Sequence, residues 1–191
     1  MGANGNAAGA ASGASFTLNA GTIQLLANGT NTFGGANSTL YINGGNISNT
    51  ATGGTRSNLI VIGGDIAFQG SGGVNTWSGT VSITGNVPRK ITLDSATSGQ
   101  VFSGVISSTA TNGLTFDATA TGVPAASAQS ISISNIANTF TGPITINNGE
   151  VVFANSNSLG NSANDIVIGA GRLTMTTGDI ASTHGLSLIH I

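Results

Sequence analysis

Five stretches of this chain follow one pattern: a short strand-like run, a turn rich in Gly or Asn, and a second such run. They are residues 16–28 (FTLNAGTIQLLAN), 40–47 (LYINGGNI), 59–68 (LIVIGGDIAF), 144–156 (ITINNGEVVFANS) and 166–173 (IVIGAGRL). The first and fourth align without a gap, so that Phe16, Leu18, Gly21, Ile23 and Leu25 fall on Ile144, Ile146, Gly149, Val151 and Phe153. With one residue of slip the second falls on the fifth. A recurring unit too small to bury its own apolar face must stack on copies of itself, so the recurrence restricts the chain to repeat architectures.

Within each unit the period is two. Ile131 and Ile133, Ile144 and Ile146, and Ile166 and Ile168 alternate with Ser, Thr or Val, the mark of a strand with one buried face. Turns such as Asn43-Gly44-Gly45-Asn46 and Asn147-Asn148-Gly149 hold residues that tolerate positive φ. No stretch has helical periodicity, and residues 3–14 are too rich in Gly to hold a helix. A sandwich would need about seven strands in one closed unit. Short strands, turns every few residues and internal repetition predict instead an all-β, right-handed parallel β-helix, a β-solenoid. Coils of ~20–25 residues give about eight of them, a rod near 40 Å at ~4.8 Å per coil.

Composition agrees with stacking. Gly, Thr, Ser and Asn supply 98 of 191 residues, and charged residues only 5%. In a stack each side chain meets its counterpart one coil away, so like charges would oppose each other. Asn, Thr and Ser can bond to the neighbours above and below. The net charge of −2 with no basic cluster argues against nucleic acid. The absence of Cys excludes a disulfide framework and thiolate metal sites. No run of 18 apolar residues is present to span a bilayer as a helix, and 39% hydrophobic residues fit poorly with disorder.

The ends read as those of a fragment. Residues 1–15 are a Gly/Ala/Asn-rich segment, expected to be flexible, with neither the basic nor the apolar region of a signal peptide. Residues 186–191 (LSLIHI) match the translation of a transposon end used in sequencing-library preparation and are read as adapter sequence. The repeat region is then 16–185.

A second motif recurs: Asn31-Thr32-Phe33-Gly34-Gly35, Asn75-Thr76-Trp77-Ser78-Gly79 and Asn138-Thr139-Phe140-Thr141-Gly142. Its third copy opens residues 138–175, which resemble the autotransporter-associated β-strand repeat. That family runs N-T-[FY]-x-G, apolar strand, x-x-G-x-L, x-L-G, then another strand and G-x-L. The matching residues are Asn138, Thr139, Phe140, Gly142, Ile144, Ile146, Gly149, Val151, Leu159, Gly160, Ile166, Ile168, Gly171 and Leu173. The copies at Asn75 and Asn31 are partial; after Asn75 the usual turn is interrupted by residues 86–90. The resemblance implies part of a large exported bacterial passenger, secreted by the type V route through a C-terminal outer-membrane β-barrel. It implies a location at the cell surface or outside the cell, and partners on a host or neighbouring cell or in a polysaccharide.

The sequence offers little chemistry. Its acids, Asp65, Asp94, Asp117, Glu150, Asp165 and Asp179, are at least ten residues apart; each reads as a turn or cap residue, although stacked coils could pair carboxylates. His184 has no ligand partner in the sequence pattern, and the calcium nonapeptide G-G-x-G-x-D is absent. No G-x-S-x-G nucleophile elbow occurs. The Gly-rich strings precede no helix, as a phosphate loop requires. Arg89-Lys90 reads as a turn after Pro88. Trp77 and Tyr41 could stack on sugars, but Trp77 fills the Phe slot of the repeat and reads as core. Thr-x-Thr strings at Thr109, Thr119 and Thr174 are unevenly spaced for a flat binding face. The expectation is a non-enzymatic structural stalk with no catalytic, cofactor or metal residues and an adhesive role. A carbohydrate-binding or polysaccharide-active solenoid is the alternative.

Overall fold

The computed structural model describes residues 13–26, 33–35, 37–94, 99–118, 130–181 and 183–188. The chain winds as a parallel β-solenoid of about six turns, with three sheets as its faces. The first coil holds β1 (Ser15–Leu18) and β2 (Thr22–Leu25). The second holds β3 (Thr39–Ile42), β4 (Asn46–Asn49) and β5 (Gly54–Arg56), and the third β6 (Leu59–Ile62), β7 (Ile66–Gln69) and β8 (Asn75–Trp77). Then come β9 (Val81–Ile83), β10 (Arg89–Asp94) and β11 (Gln100–Phe102), followed by β12 (Ile106–Ser108), β13 (Leu114–Ala118) and β14 (Ser130–Ile133). The last stretch contains β15 (Ile144–Asn148), β16 (Glu150–Phe153), a 3-10 turn (Ser156–Leu159), β17 (Ile166–Ile168), β18 (Arg172–Met175) and β19 (Leu186–Leu188). Every strand pairing is parallel.

The first sheet orders β1-β3-β6-β9-β12. The second orders β2-β4-β7-β10-β13-β15-β17-β19, and the third β5-β8-β11-β14-β16-β18. Inward side chains stack in columns. Leu40, Ile60, Val81 and Ile106 form one on the first sheet. Ile66, Ile91, Phe116 and Ile146 form one on the second. Trp77, Phe102, Ile133 and Phe153 form one on the third. All of these are buried, and each fully buried aliphatic or aromatic side chain contributes about 1.5–3 kcal/mol.

The coils are fewer and less even than the expected eight of ~20–25 residues. Ser130 pairs with Glu150, 20 residues on, whereas Gln100 pairs with Ile131, 31 residues on. Longer connections between β13 and β14 and before β15 set the wider spacings; residues 119–129 of the first lie outside the described residues. About six coils at ~4.8 Å make a stack of about 29 Å. Residues 1–12 and 189–191 of the expected terminal segments lie outside the described residues. Leu186–Leu188 extend the second sheet as β19 beside β17.

The sequence repeat is a corner rather than a coil. Residues 16–25 and 40–47 turn from the first sheet into the second, while 144–153 and 166–173 turn from the second into the third. Segments that align in sequence therefore sit on different faces. At these corners the chain bends within one to three residues, and two of the turn glycines take positive φ: Gly45 at 98° and Gly149 at 78°. Among the described residues the first sheet has no strand after β12. Residues 138–142 and 159–164 take that side, stacked through Thr139 N–H to Ile106 O (2.9 Å) and Asn161 N–H to Phe140 O (3.0 Å).

The Asn-Thr-aromatic copies are likewise inequivalent. Asn75-Thr76-Trp77 is strand β8 in the third sheet, whereas Asn138-Thr139-Phe140 is a non-strand segment on the opposite side of a corner. Asn31 and Thr32 lie outside the described residues, and Phe33 is buried. What the copies share is a large aromatic pointing inward: Trp77 and Phe140 are at most 1% exposed.

Candidate functional site

Buried asparagines tie the coils together. Asn164 donates through Nδ2 to Phe140 O (3.0 Å) and Leu159 O (2.9 Å), and its Oδ1 accepts from Gly142 N (2.9 Å). Asn138 donates to Asn135 O and Ser158 O and accepts from Ile106 N (2.8 Å). Asn49, Asn112 and Asn135 donate to Gly73 O, Gly85 O and Ser103 O in neighbouring coils. The expected exposed ladder also occurs, from Asn43 Nδ2 to Asn19 Oδ1 (2.9 Å). Buried carboxamides thus satisfy corner backbone groups that no strand ladder reaches.

Two polar constellations stand apart from this scaffold. The first is internal. Arg56, fully buried, donates from Nη1 to Asn75 Oδ1 (2.5 Å) and Gly54 O (3.2 Å), with its guanidinium carbon 5.5 Å from the centre of the Trp77 ring. Trp77 Nε1 donates to Gln100 Oε1 at 2.9 Å. Burial lowers the Arg56 pKa to about 10. Arg56, Asn75 and Gln100 continue the inward columns of the third sheet, so they occupy core positions and not a cleft.

The second lies on the outer face of the third sheet. A groove of about 330 Å³ is lined by Val74, Val101, Val152, Ser130, Ser132 and Glu150, among others. Glu150 is 6% exposed. Its Oε1 accepts from Thr174 Oγ1 (2.6 Å), and its Oε2 lies 3.0 Å from Arg172 Nη2. Desolvation pushes its carboxyl upward, but the hydrogen bonds from Thr174 and Arg172 and the Arg172 charge outweigh this, and the pKa is lowered overall. Glu150 and Arg172 are paired in register on β16 and β18. Both fill the variable position of a G-x-L turn, after Gly149 and Gly171. Opposite charges at that shared position of successive units were the sequence signal for this pair; reading the acids singly missed it.

The remaining expected residues stay apart. Asp65 Oδ1 accepts from Lys90 N (2.9 Å) and Asp94 Oδ2 from Gln69 Nε2 (3.2 Å). Asp165 and Asp179 are exposed, and Asp165 is the one acid lining a second hollow beside Thr141 and Pro143. His184 is buried with Nδ1 3.0 Å from Asn164 O. Among the described residues no three His, Cys, Asp or Glu side chains gather as metal ligands. Arg89 and Lys90 begin strand β10 and do not form the turn; the Arg89 guanidinium donates to Thr84 O (2.9 and 2.7 Å) and closes the loop before it. Tyr41 is 40% exposed on the first sheet. The outward column Thr76, Val101, Ser132, Val152, Thr174 is broken by valines, Thr109 lies outside the strands, and Thr119 lies outside the described residues.

A search of protein-family models, curated proteins and solved structures returned no match to this chain.

Proposed function

We propose that this chain is a structural segment of an exported, surface-displayed passenger of autotransporter type, acting as a stalk that carries adhesive contacts. One observation supports the reading most: each coil is completed only by its neighbours, through apolar columns and asparagine ties. Such a scaffold extends by adding coils and needs no disulfides. The resemblance of residues 138–175 to the passenger-associated repeat supplies the exported setting. The test is to express the full-length gene and probe intact cells with antibody against this segment. Surface labelling that protease removes, and that requires the downstream region, is the expected result. Antigen that stays protected inside the cell refutes the export reading. Display on a non-adherent cell tests adhesion separately, and no gain in binding removes that role.

The groove over the third sheet favours a second reading, polysaccharide binding. Its apolar floor with Ser130, Ser132 and Glu150 suits a sugar's apolar face and hydroxyls. A glycan array with Ser132→Trp, which fills the groove, as control tests it. A hydrolytic version would need a second carboxylate, and Glu150 is the groove's one acid among the described residues.

A further inference from the structure

Five Asn-Gly steps occur in the sequence: Asn4-Gly5, Asn28-Gly29, Asn43-Gly44, Asn112-Gly113 and Asn148-Gly149. The first two lie outside the described residues. The other three differ in how the side-chain amide and the following backbone nitrogen are engaged. Asn112 is buried, with Nδ2 bonded to Gly85 O at 2.6 Å, and the Gly113 N–H donates to Thr141 O at 3.0 Å. Both reacting groups are held by other coils. Asn43 has its carboxamide tied to Asn19 in the exposed ladder. At Asn148-Gly149 the Gly149 N–H donates to the Oδ1 of Asn148 itself, at 2.9 Å. Asn148 is exposed to water, and no Cβ on Gly149 crowds the nitrogen.

We infer that Asn148-Gly149 is a self-modification site, where the Gly149 backbone nitrogen closes on the Asn148 carboxamide and converts it to isoaspartate or aspartate. The nitrogen is held 2.9 Å from the oxygen of the carboxamide whose carbon it must attack, so the two reacting groups are already neighbours. After losing its proton to water or hydroxide, the nitrogen forms a bond to Cγ. The Cγ–NH2 bond breaks, and ammonia leaves with a proton. Water then opens the five-membered succinimide. Cleavage at the main-chain carbonyl gives isoaspartate, with the backbone rerouted through Cβ; cleavage at Cγ gives aspartate. The net change is Asn plus water to Asp or isoAsp plus ammonia.

The position gives the reaction a consequence. Asn148 pairs in register with Asp117, where the β13–β15 ladder already shifts. A carboxylate at 148 sets two like charges directly opposite, which is destabilising. An isoaspartate also lengthens the backbone at a corner whose Gly149 is pinned: a Cβ there would lie 2.2 Å from the Ala118 Cβ. Modification would therefore loosen the contact between the middle coil, with its longer connection, and the coils after it.

The test is to incubate the folded chain at neutral pH and map peptides by mass spectrometry, with enzymatic methylation of isoaspartate. Conversion at Asn148 should outpace that at Asn43 and Asn112 by about tenfold or more, and Asn148→Gln should abolish it. Conversion at Asn43 or Asn112 as fast as at Asn148 overturns the proposal. Asn148→Asp should lower the melting temperature, and Asp117→Asn should restore part of the loss. No restoration would overturn the like-charge consequence.

Discussion

Replacing Asn164 by alanine should cost more than its size suggests. The side chain makes three hydrogen bonds: to Phe140 O, to Leu159 O and from Gly142 N, at 2.9–3.0 Å. Phe140 O keeps the amide of Asn161. Truncation therefore leaves two buried backbone groups, Gly142 N–H and Leu159 C=O, without this partner. At about 1–3 kcal/mol for each orphaned group, the loss is about 2–6 kcal/mol. Asn161 is the control. It is exposed, its side chain accepts only from Ala163 N at 2.9 Å, and Asn161→Ala should cost about 0.5–1 kcal/mol. Urea unfolding followed by circular dichroism gives both values, provided the slope with denaturant is unchanged. Hydrogen exchange should place the first losses at the Gly142 and Ile144 amides. If Asn164→Ala and Asn161→Ala agree within about 0.5 kcal/mol, the view that asparagine ties hold the coils is wrong.

Other outcomes follow from the same geometry. A Cβ on Gly79 or Gly104 would lie 1.9 Å from the carbonyl oxygen of Asn58 or Gly79 in the preceding coil. Gly104→Ala should therefore destabilise by about 1–3 kcal/mol or more, whereas Gly35→Ala, which meets nothing within 4 Å, should be near neutral by thermal melting. The lowered pKa of Glu150 makes its contribution present above the unfolded carboxyl pKa and lost as pH falls through the folded value. Glu150→Gln should flatten stability between neutral and acid pH, at a cost of about 0.5–1.5 kcal/mol, since Arg172 is half exposed. Trp77→Phe removes the indole bond to a buried Gln100 and should cost about 1–3 kcal/mol in urea titrations. Wild-type Trp77, the single tryptophan, should fluoresce as a dry, quencher-shielded indole.

The strands were legible because alternation is local. Ile144-Thr145-Ile146 and Ile166-Val167-Ile168 announce which side faces inward, and their predicted columns exist. Trp77 was readable as core because it stands where other copies carry Phe. The ion pair of Glu150 and Arg172 lay in the same aligned turn motif, yet it showed only once charges were compared between copies. The internal polar cluster of Arg56, Asn75 and Gln100, spread over two adjacent columns, was not legible. Nothing near Arg56 in the chain says that it points inward, and its partner is 19 residues away.

The sequence by itself determined the period of two, the tight Gly corners and the low charge that stacking tolerates. These depend on neighbours along the chain or on identical neighbours one repeat away. Only the tertiary structure decided which corner each unit makes, how many residues each coil consumes and which asparagines are buried. Units 40–47 and 166–173 look alike but turn between different sheets, because longer connections between coils reset the phase. A strand pattern specifies in and out; which face of a three-sided coil it occupies depends on the length of chain spent reaching it.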